Sequence, residues 1–277
     1  MMMSAGSTRQ LDFVVTVKAY PAVGMKTGEA VCVAGVSAEG EPEWVRLFPV
    51  PFRDLPEAMQ FKKWQRITVE ARRPRNDPRP ESWSPVISTF EVVDELPAGD
   101  WAQRRRLIDS LPVSTMCEMN RLNKLVPGRD QSASSLAIIR AREVPKFFVE
   151  PRPHEDVAAA RAKQSQGQLP IFASANEPIE VLEHAFYYRY KCMDPDCSGH
   201  RQSIIDWEIA QAYRGWRRAY PSDWEERLRR RWVDDLWASD RDTRVFVGNQ
   251  HQHPDGFLVL GVFWPPDAPL QGELTLG

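Results

Sequence analysis

The sequence predicts an α+β protein with an N-terminal small β-barrel-like domain, a helical middle and a C-terminal α/β part organised around a cysteine- and histidine-bearing turn. Three observations carry this prediction. Apolar and polar residues alternate with period two through the N-terminal third, helical spacing with start signals takes over near Asp100, and Cys192, Cys197 and His200 stand together between an aromatic strand and two Trp-rich helical stripes.

Leu11, Phe13, Val15 and Val17 share one face of a half-buried strand over Leu11–Tyr20. Similar runs follow at Ala30–Val36, Glu43–Val50, Arg66–Arg72 and Thr89–Val93, and short strands at this spacing suggest a small barrel or a strongly curved sheet. The Pro-dense stretch Pro74–Pro85 is excluded as a central strand, because proline has no ladder donor. Asp100 with Gln103 starts a helix through Leu111, and Thr115-x-x-Glu118 is a capping box ahead of Met116, Met119 and Leu122. Ser135–Arg140 and Lys146–Glu150 read as strands, and the polar, low-complexity stretch Ala158–Pro178 as a linker or loop.

His184–Lys191 is an aromatic strand leading into the Cys192–His200 turn. Ser203 and Ser222 then look like helix starts, before the apolar stripes Ile205, Ile209, Ala212, Trp216, Tyr220 and Trp224, Leu228, Trp232, Leu236. Arg244–Val247 and Phe257–Trp264 close the chain as a hairpin. The expected division is a β-rich domain at 11–95, a helical or mixed middle at 96–157, a linker at 158–178 and a C-terminal domain at 179–270.

At 277 residues with 42% hydrophobic content, the chain can bury a core without staples. Its longest apolar run, the eight residues Phe257–Trp264, is far short of a membrane helix, and Met1–Gln10 has no apolar segment of the kind an export signal needs, so a cytoplasmic protein is expected. A net charge of −2 excludes a globally basic nucleic-acid coat, and four cysteines are too few for a disulfide scaffold, which leaves thiols or metal ligands.

Cys192-x4-Cys197-x2-His200 is the sharpest motif, since thiolate and imidazole suit zinc. His184 is the favoured fourth ligand, with Asp194, Asp196, Asp206 or a water as alternatives. Asp206 and Glu208 follow directly; with His200 they compose a candidate metal-assisted catalytic cluster, while the plainer reading makes Asp206 part of a helix cap. The third signal is basic. Lys62, Lys63, Arg66, Arg72, Arg73, Arg75 and Arg79 face only Glu70 and Asp77 within 62–79, a local surplus of five, and Trp64 and Trp83 interleave with them. Cations among aromatics suit a single-strand groove, where phosphates are neutralised and bases stack. Arg214, Arg217, Arg218 and Arg229–Arg231 read as solvated or locally paired, His251 and His253 as turn residues, and Cys32 and Cys117 as small core hydrophobes.

Six segments, Lys18–Pro21, Val31–Val36, Trp44–Arg53, Arg79–Trp83, Asp206–Glu208 and Gly261–Pro266, together resemble a family of uncharacterised prokaryotic proteins. The resemblance spans most of the chain and implies that its N- and C-terminal parts are one inherited unit; it transfers no activity. The expectation is therefore a nucleic-acid-binding protein with a structural zinc. The alternatives are a metal-assisted nuclease and a scaffold whose Trp-rich helices dock a protein partner.

Overall fold

A computed structural model describes residues 8–24, 28–124, 133–166 and 177–267. Its elements, in chain order, begin with β1 (Arg9–Lys18), β2 (Ala22–Gly24), β3 (Gly28–Ser37), β4 (Trp44–Val50), β5 (Gln65–Arg72), β6 (Ser82–Pro85) and β7 (Glu91–Glu95). Next come α1 (Trp101–Asp109), β8 (Val113–Ser114), α2 (Met116–Asn123), β9 (Leu136–Ile139), β10 (Lys146–Pro151) and α3 (His154–Gln166). The chain continues through β11 (His184–Tyr190), β12 (His200–Ile204), α4 (Trp207–Ala219), α5 (Trp224–Arg229) with a π-helical turn over Arg230–Asp235, β13 (Arg244–Gln250) and β14 (His253–Phe263).

The N-terminal half is a five-stranded barrel, β1-β3-β4-β6-β5, closed by antiparallel pairing of β5 back onto β1 from Arg9↔Ala71 to Val14↔Arg66. Closure removes the unpaired edges that an open sheet would present. Every second residue points inward, so Leu11, Phe13, Val15, Val33, Leu47, Ile67 and Val69 fill the interior. The expected half-buried strand at β1 is buried on both faces: Val14, Thr16 and Val17 are as enclosed as the inward set. A second sheet covers the outer face, and Val17, Ala34 and Val36 pack there with Ile138, Phe246, Leu260 and Phe263. Gly35 lets the strands close up, since a Cβ there would stand 2.1 Å from the Val14 carbonyl oxygen.

The exclusion of Pro74–Pro85 from the sheet fails at its end. Arg46 and Leu47 pair with Ser82 and Trp83, and Ala71 and Arg72 with Pro85 and Ser84, so four residues suffice to close the barrel. Strands β2 and β7 extend the barrel by pairing with β3 and β5, and strands β8 to β14 form a second sheet ordered β10-β11-β12-β14-β13-β9-β8, mixed in direction, with β12 parallel to β14. The expected middle region therefore divides: β8, β9 and β10 join the C-terminal sheet, while α1 supplies Ile108, and the turn after it Leu111, to the core shared with the barrel. The expected linker or mobile loop is helical through Gln166, and 167–176 lie outside the described residues. Helix α3 escaped pattern reading because Val157 is its one buried apolar residue.

Capping reads more faithfully. Asp100 accepts from the Gln103 amide at 3.0 Å, and Thr115 accepts from the Glu118 amide at 3.1 Å. Ser203, expected to start a helix, lies in β12 instead, and Asp206 is itself the N-cap of α4, accepting from the Glu208 amide at 3.2 Å. The stripes of α4 and α5 join one core, in which Ile209, Tyr213, Leu228 and Trp232 pack on the sheet. No described helix is long and apolar enough to cross a membrane.

Candidate functional site

Strand β11 runs into a turn that the sequence builds from short polar residues and glycine. Asp194 accepts from the Asp196 amide at 3.0 Å, the Cys197 amide donates to the Asp194 carbonyl at 3.1 Å, and Gly199 takes a φ of +116° before β12 begins at His200. A side chain at that φ would be strained, which explains the glycine. The turn folds Cys192, Cys197 and His200 together, and the start of α2 delivers Cys117 from the other side of the core.

The ligand atoms of Cys117, Cys192, Cys197 and His200 all lie within 4.8 Å of one another, and this group can hold a metal ion. His200 Nε2 stands 3.2 Å from Cys197 Sγ and 3.5 Å from Cys117 Sγ, and the Cys117 and Cys192 sulfurs are 3.7 Å apart. Tetrahedral coordination with Zn–S near 2.3 Å and Zn–N near 2.0 Å gives edges of about 3.8 Å between sulfurs and about 3.5 Å from sulfur to nitrogen. The spacing therefore fits a tetrahedral ion. Burial holds the His200 imidazole below its ordinary pKa, in the neutral form that ligates metal. Burial and the neighbouring sulfurs push the Cys117 thiol up to about 12, because adjacent thiolates repel unless a cation lies between them.

Cys117, expected as a core hydrophobe, thus occupies the fourth corner. The favoured fourth ligand, His184, sits at the opposite end of β11, roughly 20 Å along the strand. Its Nδ1 is 2.9 Å from the Tyr213 hydroxyl, and its ring meets Trp224 edge-on. Asp206 is also elsewhere, just past the far end of β12.

That end of β12 opens onto a cleft of about 640 Å³ between the barrel and the second sheet. Ala19 forms a bridge with Asp206, and the Tyr20 amide donates to the Ile205 carbonyl at 2.7 Å, so the end of β1 sets Lys18 beside the start of α4. Lys63 Nζ reaches Asp206 Oδ1 at 2.7 Å and Glu208 Oε2 at 3.4 Å. Asp206 and Glu208 meet at one partner: as an N-cap, Asp206 has extended rather than helical backbone, so its side chain and that of Glu208 can both reach Lys63. Lys63 and Asp206 side chains are 8% and 3% exposed, whereas Glu208 stands at the mouth with 61%. Burial works against the Lys63 charge, yet Asp206 and Glu208 outweigh it and raise its pKa; burial pushes the Asp206 carboxyl up to about 6 against the pull of Lys63.

Lys18 and Arg104 complete the walls. Lys18 Nζ lies 3.9 Å from the centre of the Phe52 ring and 4.7 Å from Trp207, and burial lowers its pKa to about 8. The Arg104 guanidinium stacks over Trp64 at 4.7 Å and donates to the Leu96 carbonyl at 2.7 Å. Trp64 has a φ of 71°, left-handed backbone that costs a non-glycine residue about 1–3 kcal/mol and is held only where surroundings dictate it.

Residues 9–110 match the family model of a domain of unknown function, DUF8758, and residues 112–275 match that of another, DUF8757. The chain belongs to the DUF8757 family. No curated protein matches the chain. All four residues of the metal group fall inside the DUF8757 match, whereas the cleft is shared: Lys18, Lys63 and Arg104 come from the DUF8758 part, and Asp206 and Glu208 from the DUF8757 part.

The expected catalytic set of His200, Asp206 and Glu208 is split between these two places, His200 in the metal group and the carboxylates on Lys63. The basic stretch is also partly engaged, three of its seven cations by partners remote in sequence. Lys63 is buried, Arg66 holds Asp12 and Glu39, and Arg79 pairs with Asp77 and donates to the Asn249 carbonyl of the DUF8757 part. Trp83, expected to stack bases, is buried with the Arg73 guanidinium 3.8 Å over its ring. Lys62, Arg72, Arg73 and Arg75 stay exposed. Arg214 and Arg218 pair with Glu180, and Arg217 with Glu183, which fastens α4 to the segment before β11. His251 lies 3.8 Å from Asp77 and is exposed, as is His253; Cys32 accepts from buried Arg46 at 3.7 Å.

Proposed function

We propose that this protein binds nucleic acid, and that Cys117, Cys192, Cys197 and His200 hold a structural zinc. The observation that carries the binding reading is the arginine cluster at the end of β5. Arg72, Arg73 and Arg75 are exposed within four positions, and none has a carboxylate within ion-pair reach among the described residues. An unneutralised cationic loop on a chain of net charge −2 is a local polyanion contact rather than a general property of the surface. The zinc reading rests on the donor set: three sulfurs and an imidazole suit that ion, and four protein ligands leave no open position for a reacting water. This favours binding over metal-assisted hydrolysis. A scaffold role has less support, since the helical tryptophans Trp216, Trp224 and Trp232 pack into the core. Free thiols also suit the cytoplasm.

The test is polynucleotide affinity against salt. Three phosphate contacts contribute a slope near −2 for a single strand and −2.7 for a duplex, so Arg72, Arg73 and Arg75 replaced together by Ala should flatten the salt dependence by that amount. Unchanged affinity and slope in a folded triple variant would refute the footprint.

A further inference from the structure

Buried charges are normally paired, because water's solvation must be replaced. Lys63 follows that rule. Lys18 and Arg104 do not: each residue is below one-tenth exposed, at 8% and 7%, and neither has a carboxylate within ion-pair distance among the described residues. Aromatic faces and carbonyl oxygens surround them instead, and burial holds both below their ordinary pKa. Both line the same cleft, whose walls carry five cations against three carboxylates. Among the described residues these two enclosed cations face one open space with no carboxylate in direct contact: Asp206 and Glu208 act on Lys18, and Glu95, Glu208 and Asp100 on Arg104, only from beyond ion-pair distance, which leaves room for an anion between them.

The other lining residues narrow the chemistry. Trp64, Trp101 and Trp264 line the cleft with aromatic surface, one face of Trp64 being taken by Arg104 and that of Trp264 by Arg231, and Glu95 and Glu208 place exposed acceptors at its rim. The volume of about 640 Å³ is that of a small-molecule site. An anion attached to a planar ring that bears amino or imino donors satisfies all three kinds of wall: cation, ring face and carboxylate.

We propose that this cleft binds a nucleoside phosphate unit, the phosphate held by Lys18 and Arg104, the base against the tryptophans, and its amino edge toward Glu208. The unit comes either as a free nucleotide or as the terminal or extruded nucleotide of a strand. This site is distinct from the Arg72–Arg75 loop and stands without it.

The experiment uses the full zinc-loaded chain. AMP, GMP, CMP and UMP, the matching nucleosides, inorganic phosphate, and a short oligonucleotide with and without a 5′-phosphate are titrated by calorimetry and by tryptophan emission. At least one mononucleotide should bind one to one, tenfold or more tighter than its nucleoside or phosphate alone. Lys18→Met should weaken it about tenfold, the size of a lost charge-assisted contact. Glu208→Gln, at the exposed mouth and so harmless to folding, should change affinity and base preference severalfold. Binding by the phosphorylated oligonucleotide alone, sensitive to the same two variants, assigns the strand as the source. The proposal is overturned if no nucleotide or oligonucleotide perturbs the tryptophans of the unmodified protein, or if binding ignores both substitutions. Oligonucleotide affinity in the triple arginine variant reads the loop separately, so failure at either place is distinguishable.

Discussion

Replacing Cys117 by Ala tests the metal group at the residue that comes from farthest away. Cys117 reaches Cys192 across 75 positions of sequence, at a sulfur separation of 3.7 Å. Ligand binding stabilises a fold by RT ln(1 + [L]/Kd), so zinc buffered at a thousand times its Kd adds about 4 kcal/mol. An unfolding entropy of about 2.1 cal/mol/K per residue gives roughly 0.6 kcal/mol/K for 277 residues, and chelation should therefore lower Tm by about 7 °C. Loss of an outer partner of a metal ligand costs 10–100-fold in affinity, so loss of the ligand itself costs at least about a hundredfold, near 3 kcal/mol or 5 °C at fixed free zinc. Elemental analysis should find one zinc per wild-type chain, and calorimetry with and without chelator should show both shifts. Cys117→Ala that keeps zinc as tightly as wild type, or a Tm indifferent to chelator, would refute the four-ligand set. Release of zinc by His184→Ala without loss of folding would do the same, since His184 is engaged by Tyr213.

Asp206→Asn leaves Lys63 buried with Glu208 as its remaining carboxylate, and urea unfolding should register a loss of about 3–5 kcal/mol, the cost of breaking a buried pair, which Lys63→Met in the same chain should largely restore. Nucleotide affinity should fall as pH rises through about 8: Lys18 is charged below that value and neutral above it, well before an ordinary lysine titrates, with Lys63, Asp206 and Glu208 as the ionisable groups facing it. An affinity flat to pH 10 would contradict the role given to Lys18. Gly35→Ala should destabilise the barrel by about 1–3 kcal/mol or more, because its Cβ would stand 2.1 Å from a backbone oxygen that cannot move without opening the β1–β3 pairing; an unchanged urea midpoint would contradict it.

What sequence pattern revealed was whatever repeats locally. Period-two alternation located β1, β3, β4 and β5, and the Thr115 and Asp100 caps located two helix starts. It missed β6, where a barrel needs only four residues, and α3, which has no apolar stripe. The metal turn was legible because three of its members lie within nine positions; Cys117 was not, because a cysteine inside a helix carries no mark of what the tertiary fold brings against it. Charge counting shows only part of the picture for the same reason. The surplus over 62–79 is real along the chain, but Lys63 meets Asp206 from 143 positions away and Arg79 meets Asn249 from 170. Long-range pairing decides which cations remain available, and only Lys62 and the Arg72–Arg75 loop stay exposed.

The two places of interest are joined by one short strand. Strand β12 begins with the metal-group residue His200 and ends at Ile204, two positions before Asp206 caps α4 beneath the cleft. It is fully paired to β11 on one side but meets β14 at the single register pair Ile204↔Val259 on the other. A five-residue strand so sparsely held on one side is fixed along its axis chiefly by its ends. At the far end the Ile205 amide donates to Val259 at 2.9 Å, the Ala19 bridge adds the barrel, and the Lys63–Asp206 pair anchors the cap. At the near end the turn over Asp194–Gly199 has few apolar residues, with Cys197 buried among them, so packing gives little hold there. A metal bound by His200, Cys192 and Cys197, and tied through Cys117 to α2, would add to the Ala141–Cys192 bridge and the Arg142 bond to the Asp194 carbonyl that hold this end. On this argument such an ion would be remote from the cleft, yet it would steady the strand on which the placement of Asp206, and through it Lys63, depends.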